Sequence, residues 1–170
     1  MFDLIKDFKF SGITEESLRI EEILASPHCY EHGLLWCIRN GATQQIFNQM
    51  EYLEFSQDNP VKIEGIERFN KTIYHASLAL GMYLNHDGPV SCHLFLSPKD
   101  SLSFPFHQDM EDVVIYMVSG GKSFEGVSGE VEMTAGDSIY IPRGVLHRAV
   151  NTNSSVMLSF GLERYLEEKL

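Results

Sequence analysis

The sequence predicts a mainly β fold, an antiparallel barrel or jelly roll preceded by a helical portion, and three observations point there. Beyond Gly88-Pro89 the chain breaks into short apolar runs of strand length, separated by Gly, Pro and Asn, as in sheets that close on themselves. Ahead of that point, acidic caps and apolar residues three and four apart read as helices. At 170 residues the chain is about one domain long and can bury a core without disulfides. The expected organisation is a single domain over residues 1–170, with residues 1–87 mostly helical and packing on a barrel core formed by residues 88–162.

Composition narrows the function classes. A formal charge of −11 and a pI near 5.0 argue against a nucleic-acid backbone as partner. The same acidity is compatible with a basic peptide or amine substrate, although its general effect is solubility. Apolar runs fall far short of the roughly 20 residues of a membrane span, and Met1-Phe2-Asp3 does not open a basic-then-apolar leader. No membrane partner and a cytoplasmic location are expected. Cys29, Cys37 and Cys92 share no C-x-x-C spacing, which fits reduced thiols.

In the first half, Thr14 is placed to cap a helix to Leu24, with Glu15 and Glu16 in its first turn and Ser26-Pro27 closing it. A second helix is read from Tyr30 to Arg39, stopped by Asn40-Gly41, and a third from Ala42 to Met50. His28 and His32, four apart, read as surface residues. Asp58-Asn59-Pro60 is a turn before a short strand, Val61 to Ile63. From Gly65, the residues Ile66, Phe69, Ile73, Ala76, Leu80 and Tyr83 form the stripe of an amphipathic helix ending near Asn85-His86-Asp87-Gly88. His75 and His86 read as a flank residue and a capping residue.

In the second half, Val90 to Ser97 alternates, with Ser91, His93 and Phe95 on one face and Cys92, Leu94 and Leu96 on the other. Asp112 to Ser119 is apolar on both faces, as a central strand covered on each side would be. Gly120-Gly121 reads as a hairpin connection sending Lys122 back along a neighbouring strand. Further strands are expected at Glu130–Met133, Ser138–Ile141, Val145–Val150 and Ser155–Gly161, with turns at Gly136-Asp137 and Pro142-Arg143-Gly144. Residues from Glu163 to Leu170 read as a terminal helical turn or tail.

The chemistry concentrates between His107 and Asn151. In an extended segment His107 and Asp109 leave the same face and can converge on one ion, and a barrel strand can return His147 to them. Two imidazoles and a carboxylate on one side of a metal form the facial triad of non-haem Fe(II) oxygenases, which leaves coordination positions open. Lys122, following a fully apolar strand, would be costly to bury without an anionic partner.

From Gly136 the order of Gly136, Pro142, Gly144, His147 and Asn151 resembles the second motif of the cupin superfamily, a double-stranded β-helix fold. With H-x-D in place of H-x-H, the stretch S-F-P-F-H-Q-D-M-E-D-V-V-I-Y-M-V-S-G-G-K-S-F is similar to the ribosomal oxygenase group of the JmjC-type Fe(II)/2-oxoglutarate oxygenases. The resemblance implies Fe(II) held by His107, Asp109 and His147. It also implies 2-oxoglutarate as cosubstrate, its distal carboxylate paired with Lys122, fifteen residues after His107. Ser159 in S-V-M-L-S-F-G-L corresponds to a serine touching the same cosubstrate. H-L-F-L-S-P aligns with a strand carrying an asparagine and a tyrosine at the cosubstrate; here these are His93, which keeps a donor, and Phe95.

Phe104, Phe106, Ile115, Tyr116 and Tyr140 are candidates to line the cavity, and Arg143 meets either an acidic substrate group or solvent. The implied activity is hydroxylation of a peptide or protein side chain or of a small molecule. The group's dimerisation helices and winged-helix domain have no counterpart, so a ribosomal substrate is not implied. A homodimer through exposed strands is the expected assembly. Two other readings stay open: a metal-dependent cupin dioxygenase or isomerase acting directly on a small acid, and a non-catalytic cupin that binds a ligand or partner.

Overall fold

The structure, a computed structural model, describes residues 2–127 and 129–165. Eleven strands are present among them: β1 (Asp3–Leu4), β2 (Leu35–Arg39), β3 (Ala42–Gln45), β4 (Val61–Ile63), β5 (Val90–Ser97), β6 (Asp112–Ser119), β7 (Gly121–Gly126), β8 (Gly129–Thr134), β9 (Ser138–Ile141), β10 (His147–Val150) and β11 (Ser155–Leu162). They form an eight-stranded sheet in the order β1-β9-β6-β11-β5-β4-β2-β3 and a three-stranded sheet in the order β10-β7-β8. Every pairing is antiparallel. The fold is the mainly β jelly roll that the strand pattern predicts.

The two faces of β6 explain its all-apolar sequence. Val113, Ile115 and Met117 point into the space between the sheets, where they meet Phe124, Met133, Ile139, Ile141 and Met157. Val114, with Tyr116 and Val118, faces the other way, into a second core with Leu18, Leu35, Ile63, Ile73, Leu80, Leu94, Leu158 and Phe160. That outer core is roofed by five helices: α1 (Glu15–Leu18), α2 (Ile20–Ala25), α3 (Pro27–Glu31), α4 (Gln49–Phe55) and α5 (Lys71–Tyr83). Thr14 and Ser17 form a reciprocal capping box on α1, and Asn70 caps α5 by accepting from the Ile73 amide at 3.1 Å. The expected first helix is broken at Arg19 (φ 52°), and the expected helix from Gly65 is a 3-10 turn, Ile66–Arg68, followed by α5.

Two of the expected helices are strands. Tyr30 to Arg39 contains the end of α3 and then β2, and Ala42 to Met50 contains β3 and only the start of α4. Asn40 (φ 52°) and Gly41 (φ 78°) adopt the paired left-handed conformations of a tight hairpin turn, so Asn-Gly here joins two strands instead of ending a helix. β2 gains the edge of β4, with Leu35 opposite Ile63, and buries Leu35, Cys37 and Ile38 completely. Residues 1–87 therefore extend the large sheet as well as covering it.

The glycine turns of the second half also differ from expectation. Both edges of β6 are already taken by β9 and β11, so β7 has no place beside it; Gly120-Gly121 is a crossover to the other sheet, where β7 pairs with β8 and β10. A Cβ at Gly120 would run into the Ser154 carbonyl, and its φ of 71° suits glycine. Gly136-Asp137 likewise leads from β8 in the small sheet to β9 in the large one. Residues 163–165 carry no helical turn, and the remainder of the expected C-terminal tail lies outside the described residues. Cys29, Cys37 and Cys92 are buried free thiols, and no helix among the described residues is long and apolar enough to cross a membrane.

Phe10 stacks on Phe160 with ring centroids 5.0 Å apart, joining the N-terminal layer to β11. Phe160→Ala is expected to cost about 3–5 kcal/mol of unfolding free energy. Urea unfolding followed by circular dichroism and by Trp36 fluorescence should stay a single coincident transition, since one core serves both halves.

Candidate metal centre

Three side chains from two sheets meet at one end of the barrel. His107 and Asp109 lie just ahead of β6 in the large sheet, and His147 opens β10 in the small one. His107 and His147 exchange both backbone hydrogen bonds at 2.9 Å, an isolated antiparallel bridge that ties the two sheets together at this point. The Gly144 amide donates to the Asp109 carbonyl at 3.0 Å and the Arg143 amide to the Asp112 carboxylate at 2.8 Å, holding the turn before His147 against the ligand loop.

The resulting geometry suits one ion. His107 Nε2 is 3.7 Å from Asp109 Oδ1, His147 Nε2 is 3.5 Å from Asp109 Oδ2, and all three donor atoms lie within 4.8 Å of one another. Donors about 2.1 Å from a shared ion at right angles stand about 3 Å apart, so only a small inward shift is needed. The second nitrogens fix the tautomers. Nδ1 of His107 lies 3.0 Å from the Pro105 carbonyl, and Nδ1 of His147 lies 2.9 Å from that of Val145. A carbonyl only accepts, so each Nδ1 carries its proton and each Nε2 presents a lone pair toward Asp109. Phe2 sets its ring edge-on to His147, with centroids 6.4 Å apart, and Phe104 flanks His107 at 5.6 Å.

At the other end of the barrel the interior holds a charge. Lys122 is 1% exposed; its side chain crosses from β7 to the large sheet, where Nζ donates to Ser97 Oγ at 2.8 Å and lies 6.0 Å from the Phe95 ring centroid. No carboxylate among the described residues pairs with it, and burial lowers its pKa from 10.5 to about 7. Beside it, Ser155 is the cross-strand partner of Ser97, is 6% exposed, and leaves its Oγ without a hydrogen bond. A buried ammonium and an unpaired hydroxyl thus flank Ser97 in the barrel interior. Neither Ser97 nor Ser155 stood out in the sequence, because a strand serine looks alike on either face. Only their spacing of two from the inward Phe95 and Met157 betrays them.

The other anticipated residues divide. Ser159 and His93 are cross-strand partners on β11 and β5, in register with the inward-facing Met157 and Phe95, and His93 also lines a cleft beside α5. His93 Nδ1 accepts from the Gly65 amide at 3.2 Å, leaving Nε2–H as its free donor, and burial lowers its pKa, with Lys62 adding to the effect. Ile115 lines the interior as anticipated. Tyr116 and Tyr140 do not: both pack into the outer core, on the opposite face of the sheet, because they alternate with Ile115 and Ile139. Phe106 is 45% exposed at the rim, where the Arg148 guanidinium lies 4.8 Å above its ring and ion-pairs with Glu125. Arg143 is exposed.

Residues 93–160, which include every one of these site residues, match the family model described as the cupin domain. No curated protein matches the chain. Among solved structures it is similar to YcfD, a ribosomal oxygenase from Escherichia coli, with a TM-score of 0.66 and 14% identity over 99% of this chain and 49% of that one. YcfD in complex with cobalt and 2-oxoglutarate gives a TM-score of 0.67 at 14% identity, over 99% and 55% of the two chains. Its complex with cobalt and succinic acid gives 0.65 at 16%, over 98% and 49%. The chain thus spans about half the length of these structures, and at such identity the likeness is one of fold. Residues 93–160 thus match the cupin domain model and carry a His-Asp-His group suited to a metal.

One divalent cation per chain is expected at the triad. At free Co(II) about a hundredfold above Kd, the stabilisation should reach about 2.7 kcal/mol in thermal melts. Asp109→Ala should remove that stabilisation while leaving the metal-free midpoint within about 0.5 kcal/mol of wild type, since the side chain is 32% exposed.

Proposed function

We propose that this chain is an Fe(II)- and 2-oxoglutarate-dependent oxygenase that hydroxylates a side chain of a peptide or protein, or a small molecule. The observation that carries the reading is Lys122, a buried cation with no anionic partner among the described residues, on the strand that faces His147 across the small sheet. His147 pairs with Gly126, and Lys122 lies four residues further along β7 on the same face, about 13 Å away along the strand. A short dicarboxylate with one end at the triad has its other end directed toward the Lys122, Ser97 and Ser155 cradle. The fold likeness to a protein solved with cobalt and 2-oxoglutarate supports the same ligand.

Bound Fe(II) would supply the oxygen chemistry, with His107, Asp109 and His147 as its protein ligands. The chain's own contributions are positional. The Pro105 and Val145 carbonyls hold the imidazoles in one tautomer, and Lys122 with its two serines sets the register of the cosubstrate. Ile115, Phe124 and Met157 supply the apolar packing between the triad and Lys122, where charge interactions are stronger than in water. His93 Nε2–H and Ser159 Oγ supply hydrogen bonds from the opposite wall. A carboxylate at Lys122 would restore its charged form, so binding and proton uptake are coupled.

A second reading, a metal-dependent cupin dioxygenase or isomerase that does not use 2-oxoglutarate, is favoured by Phe95, which faces Lys122 with a ring that cannot donate a hydrogen bond. The two separate in one assay. Protein loaded with Fe(II) should convert 2-oxoglutarate to succinate slowly without a prime substrate, and Lys122→Met should abolish this. No succinate, together with no calorimetric binding of 2-oxoglutarate, would sink the proposal in favour of the second reading.

Two pH effects follow from the lysine. In wild type, calorimetry in buffers of different ionisation enthalpy should report proton uptake on 2-oxoglutarate binding above pH 7, with affinity falling up to tenfold per pH unit. Because the folded-state pKa is lowered, the destabilisation from burying Lys122 is fully present below about pH 7 and fades as pH approaches 10.5. Lys122→Met should therefore stabilise the ligand-free protein by a few kcal/mol at pH 6 and by much less near pH 10, read from urea midpoints.

A further inference from the structure

The face that α5 turns to solvent carries no charge. From Thr72 to His86 the chain contains no Asp, Glu, Lys or Arg, where a stretch of that length at 22% charge would hold about three. Ile73, Ser77, Leu80 and Gly81 are buried on the inner side, so the apolar residues of the outer side are not needed for the core. Yet Tyr74, Leu78 and Met82, one turn apart, are 50%, 50% and 83% exposed, and Tyr83 is 46% exposed beside Phe8, with ring centroids 5.1 Å apart. Phe69, 44% exposed, extends the patch into a recess it shares with Tyr74. His75 and Ala79 lie exposed between the two ridges of the helix.

Size and charge say what covers this face. At about 200 Å2 for each large side chain, the exposed fractions amount to about 550 Å2 per copy, so two such faces together bury about 1,100 Å2, enough for a specific interface. The charges sit at the ends. Arg68 and Lys71 are exposed at the N-terminal end of the face, and Asp87 is exposed just past its C-terminal end. Among the described residues neither Lys71 nor Asp87 has an ion-pair partner. A face that is basic at one end, acidic at the other and neutral between is complementary to itself turned end for end. This matters in a chain of charge −11, whose net charge works against self-association elsewhere. α4 also exposes Met50 and Leu53, but with Glu51 and Glu54 among them. The sheet edges, β1 with two residues and β3 with four, are too short to template a continuous sheet across two copies.

We infer that two copies of this chain dimerise by packing α5 antiparallel against α5 of the partner. A twofold axis between Leu78 and Ala79 sets each Leu78 over the partner's Ala79, large against small, and each His75 over the partner's Met82. It also brings Lys71 to the loop bearing the partner's Asp87, once at each end. The opposed helix dipoles favour the same direction. Neither a metal ligand nor Lys122 belongs to this face, so the dimer stands or falls independently of the oxygenase reading.

Sedimentation equilibrium of the metal-free chain in low salt should give a mass approaching twice 19.3 kDa as its concentration rises to about 200 μM. Ala79→Glu and Leu78→Glu, both at exposed positions, should keep the circular dichroism of wild type and weaken dimerisation by about a hundredfold or more, by placing a charge in the apolar seam. Lys71→Glu and Asp87→Lys should each weaken it about tenfold, and the two together should restore it to within about threefold of wild type, a rescue that Lys71 facing the partner's Asp87 produces. Ala79→Cys should form an interchain disulfide under mild oxidation, since Cys29, Cys37 and Cys92 are buried. Met50→Glu should dimerise like wild type. A wild-type chain that stays a monomer at that concentration overturns the inference. Dilute peroxide then tells what takes the face: free oxidation of Met82 leaves it to a different protein, and protection of Met82 assigns it to another segment of the same chain. A dimer that Ala79→Glu leaves intact, or charge reversals that do not rescue one another, would overturn it equally.

Discussion

The backbone bridge between His107 and His147 is the constraint from which the rest of the site follows. A metal site made from two sheets needs those sheets to meet, and elsewhere they are separated by an interior filled with side chains. At this bridge alone, among the described pairings, the segment before β6 hydrogen-bonds directly to β10. The register places the two imidazoles side by side, ring centroids 4.5 Å apart, and Asp109, two residues along, falls on their common side. Backbone hydrogen bonds thus do the positioning, and the side chains need only short, locally tethered rotamers to converge. Each histidine is pinned by the carbonyl two residues before it, so the tether costs no separate structural element.

A different economy governs the far end of the barrel. Filling the interior with Lys122 is unfavourable for folding alone, since an apolar residue of like size would pack there without desolvating a charge. The fold tolerates it because a second, larger core lies on the other face of the sheet, where eighteen residues of both halves of the chain are buried together. That outer core, which reaches from Phe10 to Phe160, supplies stability the inner space does not have to provide. The division of labour accounts for the double-sided β6, whose alternate residues serve the chamber and the foundation.

This division also explains what was legible in the sequence. β6 could be recognised as central because burial on both faces leaves an uninterrupted apolar run, and His107, Asp109 and His147 could be recognised because turn residues at Pro142 and Gly144 frame the last of them. The β2–β3 hairpin was misread because Leu35 to Ile38 is too short to show a period, and Asn40-Gly41 ends a helix as readily as it turns a hairpin. The glycine turns were placed correctly but joined to the wrong partners. A local sequence signal fixes where a strand ends, whereas which edge is still free to receive the next strand depends on β9 and β11, which arrive later in the chain. The chemistry of Tyr116 and Tyr140 suits a cavity wall, but the period-two alternation with Ile115 and Ile139 places them on the opposite face.

The fifteen-residue interval between His107 and Lys122 has a geometric origin in this architecture. From His107 the chain takes a few residues to enter β6, descends the whole eight-residue strand, and crosses at Gly120-Gly121 to begin β7 at the opposite end of the barrel. Lys122 is the second residue of β7, so its height is set by the length of β6, while its inward orientation is set by the parity that also turns Phe124 inward. One residue more or fewer in the crossover would send every side chain of β7 to the other face, expelling the lysine from the interior and turning Ser123 and Glu125 inward in its place. The spacing is therefore a measure of one strand length plus a turn of fixed parity, and the distance it sets between triad and ammonium is the span any ligand bridging them must have.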